Sequence, residues 1–246
     1  MRGRLEWAEV DSAALAGNPL GDPARRPLLV WLPPGYAAGA RRYPSVYVLH
    51  GFSGSVHGYV NVTPFQPSLP ERIDALVAAG ALPPFVAVFP DGWTRLGGSQ
   101  WIDSAATGRY GAYLAHDVVA AVDARFRTVP RAAARAVVGK SSGGYGALAH
   151  GALHPEVFGH VAAHAGDAAF EYCYLPDFPR AAAALQGADP AAWLDGFLRR
   201  ARETRPRADD HAALNVVAMS AAYSPRPGAP LGLELPFDPE TARLRP

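Results

Sequence analysis

Ala136-Val137-Val138-Gly139-Lys140-Ser141-Ser142-Gly143-Gly144 is the stretch on which the fold turns. A short apolar run passes directly into a Gly-rich turn, and small residues suited to a helix follow. This is the strand-turn-helix setting that a G-x-S-x-G nucleophile elbow requires. The turn forces its central serine into a strained backbone conformation, and the flanking glycines let strand and helix approach without Cβ clashes. Ser141 is therefore the candidate nucleophile. The backbone N–H of Ser142 opens the following helix and would face a developing oxyanion. Gly-Lys-Ser also closes a phosphate-binding loop, but that motif needs a glycine at position 134, where this chain has Ala134, and a loop where the pattern shows a strand.

Outward from the elbow, Leu28-Leu29-Val30-Trp31-Leu32, Val46-Tyr47-Val48-Leu49 and Phe85-Val86-Ala87-Val88-Phe89 are nearly continuous apolar runs ended by Pro, His-Gly or Pro-Asp-Gly. They predict buried strands. Ile73, Leu76 and Val77 mark one helix between them, and Leu114, Val118, Val122 and Phe126, at intervals of four, mark another. Val161-Ala162-Ala163-His164 predicts one more strand, after an elbow helix that ends near His154-Pro155. Strands alternating with helices imply an α/β fold with a mostly parallel, doubly wound sheet, whose ligands sit at the carboxyl ends of its strands.

The chain of 246 residues, 49% apolar, can bury the core of one domain, and 1–246 is expected to be a single domain. Its formal charge of +1 gives no signal for nucleic-acid or membrane steering. Of the 23 basic residues only Lys140 is a lysine, a bias that reads as genomic composition. A lone Cys173 leaves no intramolecular disulfide, and Met1-Arg2-Gly3-Arg4-Leu5-Glu6 has no apolar signal core, so a cytoplasmic location is expected. His150, His154, His160 and His164 are spaced by four, but no glutamate follows His150 and the second pair falls on a turn and a strand, so no metal is expected. No nucleotide or other cofactor is indicated.

His50-Gly51-Phe52-Ser53-Gly54, Phe89-Pro90-Asp91-Gly92-Trp93, Gly139 to Gly144 and His164-Ala165-Gly166-Asp167 each end their own strand. Together they resemble the α/β-hydrolase "putative esterase" family, which includes S-formylglutathione hydrolases, enterochelin and feruloyl esterases and mycolyltransferases. The resemblance runs from about Arg25 to Asp167. It implies an α/β-hydrolase fold and a serine carboxylic ester hydrolase working through an acyl-enzyme on Ser141, with a small-molecule ester as substrate. It also makes the Phe52 N–H the second oxyanion donor beside Ser142. The family pattern places a catalytic Asp or Glu, and then a His, on loops after further strands. No histidine follows His211 here, so the chain reads as a family member cut before its final strands. That leaves two alternatives to hydrolysis, a non-catalytic hydrolase-fold binding module and an acyltransferase. It also predicts an exposed edge at the sixth strand, to be covered by a partner segment or by a second copy in a homo-oligomer.

Within the chain, Asp167 is the candidate triad acid and His164 the candidate base, both at the end of the strand beside the elbow. Residues 168–210 read as a small helical cap insertion. Asp189 and Pro190 start a helix there that carries Trp193 and Phe197, and Tyr172 and Tyr174 are set to line a pocket. Trp93 and Trp101, on the loop leaving the fourth strand, are the other candidate pocket wall.

Overall fold

The apolar runs pair into one central sheet in the computed structural model, which describes residues 1–245. In chain order the strands are β1 (Arg4–Asp11), β2 (Arg25–Leu32), β3 (Ser45–Leu49), β4 (Val86–Pro90), the two-residue strands β5 (Asp103–Ser104) and β6 (Gly108–Arg109), β7 (Arg135–Lys140) and β8 (His160–His164). β5 and β6 form a separate small ribbon. The other six are ordered β1-β2-β4-β3-β7-β8, with β1 and β2 antiparallel and β4, β3, β7 and β8 parallel. The fold is thus α/β, with a mostly parallel sheet.

The inner strands β2, β3 and β4 are apolar on both sides because helices cover both faces of the sheet there. Leu28, Val30, Tyr47, Leu49, Val88 and Val137 pack on one face against the helical segment from Tyr110 to Arg125. That segment starts as α2 (Tyr110–Ala112), passes through a π-helical stretch (Tyr113–Val118) and ends as α3 (Val119–Arg125), burying Leu114, Val118 and Val122. The alternate residues Leu29, Trp31, Val48, Ala87 and Phe89 face the other way, toward Ile73 of α1 (Leu69–Ala78). Ser68 and Glu71 form a capping box at the start of α1. Leu76, expected on the buried stripe of this helix, is instead 46% exposed.

The elbow helix α4 (Ser142–Leu153) stops at His154, as the sequence predicts. β8 follows and is an outer strand of the sheet, with all five residues exposed. His160, expected in a turn, is its first residue.

Beyond β8 the chain forms α5 (Phe170–Cys173), α6 (Phe178–Leu185), α7 (Pro190–Glu203) and α8 (Asp210–Tyr223). These helices bury a cluster of their own that includes Tyr174, Leu185, Trp193, Leu194, Val217 and Phe237. The Asp189 side chain accepts from the Ala191 and Ala192 N–H groups at 2.9 and 3.1 Å and so fixes the start of α7. The sequence reading assigns no helix to Asp210–Tyr223. That segment is apolar all round and has no periodic face, as expected of a helix buried on every side. Trp193 is 8% exposed and stacks on Phe197 with ring centroids 5.6 Å apart. Trp193→Ala is expected to cost about 3–5 kcal/mol, read by chemical denaturation. A loss below about 1 kcal/mol would mean that the helices α6–α8 are not held together by this ring.

Candidate active site

Strand order brings the candidate residues together. β3 and β7 are neighbours in register, Leu49 opposite Gly139, so the segments leaving their carboxyl ends, His50-Gly51-Phe52 and Ser141, emerge side by side. β8 lies on the far side of β7, with Lys140 opposite His164, which carries Asp167 to the other flank of Ser141. The chain reverses its direction of winding across the sheet here, the position where open α/β sheets hold ligands.

Ser141 has φ 58° and ψ −127°, a conformation that side-chain-bearing residues rarely adopt. Its N–H donates to the His164 carbonyl at 3.1 Å, and α4 starts at the next residue. Two glycines make the turn feasible. A Cβ at Gly139 would collide with the Gly143 carbonyl, and one at Gly143 would collide with the Leu49 carbonyl. Helix, elbow and β3 therefore touch through their backbones.

The Ser141 hydroxyl faces Asp167, with Oγ 3.2 Å from Oδ1 and 3.3 Å from Oδ2. The Ser142 hydroxyl donates to the same carboxylate at 2.9 Å. On the opposite side, a Cβ placed on Gly51 would lie 3.3 Å from the Ser141 Cβ and 3.8 Å from its Oγ. The loop that follows β3 thus runs within van der Waals reach of the serine. The Phe52 N–H meets no acceptor among the described residues. The Ser142 N–H, at the first position of α4, has no intrahelical partner and lies at the positive end of a twelve-residue helix. Both donors are available to a ligand oxygen.

The remaining candidates fall into two groups. The His164 ring makes no hydrogen bond to Ser141 or Asp167 among the described residues, and only its main chain contributes to the elbow. The His211 ring, at the start of α8, packs edge-on against Phe52 at 5.8 Å. His150 is buried, with Nε2 2.9 Å from the Trp101 carbonyl, and burial pushes its pKa down to about 4, so it stays neutral. Trp93 is 39% exposed and Tyr172 84% exposed, so both side chains are accessible to a ligand. Trp101 is 2% exposed, lies edge-on to His50 at 5.0 Å and donates its Nε1–H to the His50 carbonyl at 3.0 Å, so it supports the loop from beneath, and it also borders a cavity of about 280 Å³ with Tyr145 and His150.

Sequence reasoning missed Tyr145 and Tyr223, which join Phe170 and Tyr174 in an aromatic group beside the elbow helix. The Tyr145 ring, one turn after Ser141, meets Tyr223 at 5.3 Å and Phe170 at 6.2 Å. Tyr174 and Tyr223 line a neighbouring cavity of about 310 Å³ together with Phe178, Val216 and Met219. Burial holds the phenols of Tyr174 and Tyr223 well above their usual range. Tyr223 ends a helix without periodicity, so no local pattern marks it as a pocket residue.

A family model described as "Putative esterase" matches residues 23–223. Among solved structures the chain is similar to a ferulic acid esterase, at 21% identity over 67% of this chain and 59% of that one, with a TM-score of 0.53. It is also similar to a CE1 ferulic acid esterase from Anaeromyces mucronatus, solved with ferulic acid, at 18% identity over 68% and 60% of the two chains (TM-score 0.52). A third is the S-formylglutathione hydrolase from Agrobacterium tumefaciens, at 18% identity over 85% and 67% (TM-score 0.52). The chain thus spans about 60% of the length of the ferulic acid esterases it matches. At these identities the likeness is one of fold. No curated protein matches the sequence.

Proposed function

The chain belongs to the family described as "Putative esterase", and on that premise we propose that it is a serine carboxylic ester hydrolase that works through an acyl-enzyme on Ser141. The observation that carries the reading is the strained Ser141 at the start of α4, with Gly51 against it and two unpartnered backbone donors nearby. Ser141 Oγ attacks the ester carbonyl carbon, and its proton passes to the Asp167 carboxylate, the group already in contact with it. The Phe52 and Ser142 N–H groups hold the oxygen that becomes negative. Collapse of the tetrahedral adduct breaks the bond to the alcohol, which leaves with the proton, and water then releases the acid by the same steps in reverse. The exposed Trp93 and Tyr172, together with the cavity beside Tyr145, supply apolar surface for the ester's substituents. The helices of 168–210 act as a cap beside the site. An alcohol in place of water in the second half would make the same chain an acyltransferase.

A second reading, a non-catalytic binding module on the same fold, is favoured by one observation. No imidazole is hydrogen-bonded to Ser141 among the described residues, and carboxylates are weaker bases than imidazole in general. Steady-state hydrolysis of p-nitrophenyl acetate by the purified chain separates the two. The esterase reading predicts turnover that saturates with substrate and is lost in Asp167→Asn by about 10²–10⁴-fold, the usual worth of a positioned proton acceptor. Hydrolysis no faster than buffer would leave the binding module as the better description. Turnover unchanged in Asp167→Asn would remove Asp167 from the mechanism.

A further inference from the structure

We propose that His50 is a positioning residue that sets the direction of the Phe52 N–H by clamping the Gly51 carbonyl in its Nδ1–H tautomer, with Gly92 as the group that selects this tautomer. The catalytic part of this statement rests on the esterase reading above. The clamp itself rests on the hydrogen bonds of two residues, His50 and Gly92, that the reaction steps leave unused.

The Gly92 N–H lies 3.0 Å from His50 Nε2. A backbone amide can only donate, so Nε2 must be the bare nitrogen, and in a neutral ring the hydrogen then sits on Nδ1. Nδ1 is 2.9 Å from the Gly51 carbonyl oxygen and donates to it. The Gly54 N–H donates to the same oxygen at 3.0 Å. With two donors on one side, the 51–52 peptide has no freedom to flip. The peptide is trans, so its N–H points opposite to its carbonyl, away from His50 and Gly54.

The groups that anchor the turn are buried and hydrogen-bonded. Gly92 follows Asp91, whose Oδ1 accepts from the Val56 N–H at 3.0 Å and whose Oδ2 accepts from Arg26 at 2.5 Å. Trp101 lies edge-on to the imidazole and holds the His50 carbonyl. A second hydrogen on Nε2 would oppose the Gly92 N–H. The charged groups facing the ring are Asp91, with Oδ1 3.8 Å from Nε2, and Arg26 behind it. Burial outweighs the attraction of Asp91 and moves the imidazole below its usual range, which keeps it neutral. The role of the Pro90-Asp91-Gly92 turn is then to choose a tautomer, and the role of His50 is to convert that choice into the orientation of a peptide.

Two substitutions separate the nitrogens. The amide nitrogen of asparagine falls near the place of Nδ1, so His50→Asn keeps a donor for the Gly51 carbonyl and gives up the contact with Gly92. Glutamine reaches the place of Nε2, so His50→Gln keeps an acceptor for Gly92 and gives up the donor. Each loses one hydrogen bond, and similar losses of melting temperature are expected. The kinetics should differ. His50→Gln is expected to lower kcat on p-nitrophenyl acetate by about 10²–10³-fold, the loss seen when an oxyanion donor is removed, with KM nearly unchanged. His50→Asn should recover most of that loss. Equal kcat in the two variants, or native kcat in His50→Gln, would overturn the proposal. Two-bond ¹H–¹⁵N spectra of ¹⁵N-labelled protein read the tautomer independently of activity, with the His50 signal identified by its disappearance in His50→Asn. A bare Nε2 and a protonated Nδ1 are expected, and a protonated Nε2 overturns the clamp. A native chain without ester turnover would refute the esterase reading and with it the catalytic part of the proposal, while the spectra would still decide the clamp.

Discussion

Ser141→Ala is expected to reduce hydrolysis of short p-nitrophenyl esters to the background rate and to leave the melting temperature unchanged. In a serine protease, removing the nucleophile costs about 10⁶-fold in kcat, and the oxyanion hole and binding alone sustain a residue of about 10³-fold over water. Here the hydroxyl has one protein partner, the Asp167 carboxylate, and its loss opens no apolar cavity. Ser142→Ala is the control that fixes the register of the elbow. It removes the 2.9 Å hydroxyl contact with Asp167 but keeps the backbone N–H at the start of α4. Its effect should be small beside that of Ser141→Ala, and an equal effect would place the nucleophile one residue later.

Arg26→Met is expected to cost about 3–5 kcal/mol of folding stability, because it leaves a buried carboxylate without its counter-ion. The Arg26 and Asp91 side chains are 3% and 8% exposed, and their N···O separation is 2.5 Å. The guanidinium also donates to the Trp93 carbonyl at 2.5 Å, and so ties down the loop that carries Gly92. A buried pair is often no better than a well-packed apolar substitute, and the damage comes from removing one half of it. Adding Asp91→Asn to Arg26→Met should therefore recover about 2 kcal/mol, since the amide oxygen still accepts from Val56 while the buried charge is gone. Urea denaturation of the two single variants and the double variant measures this coupling. Simple additivity would show that the two side chains are not coupled and that the pair is not what holds the Asp91–Trp93 turn in place.

Much of the fold is legible in the sequence because its central strands are buried on both faces and read as continuous apolar runs. β2, β3, β4 and β7 all stand out for that reason, and the elbow is recognisable because glycine is required where backbones touch. Two elements are not legible by the same means. β1 is an outer strand with Trp7 49% exposed, so it has no clean apolar signature. α8 is buried all round and has no polar face to give it a period. At the site, Ser141, Ser142, Gly51 and Asp167 follow strand ends that the sequence marks. The structure brings them together because β3, β7 and β8 are adjacent. The links of Arg26 to Asp91, of His50 to Gly92 and of Tyr145 to Tyr223 join residues far apart in sequence, and no local pattern announces them. Trp101 borders a cavity, and its second role, holding the His50 carbonyl from beneath, again joins residues far apart in sequence.

The central claim is that Ser141 is an activated nucleophile, and covalent labelling tests it most directly. The purified chain is incubated with a fluorophosphonate, digested and mapped by mass spectrometry. The expected result is one adduct per chain, on Ser141, absent from Ser141→Ala and slowed in Asp167→Asn. A chain that stays unlabelled under conditions that label a known serine esterase to completion, or an adduct on Ser142 or any other serine, would contradict the account.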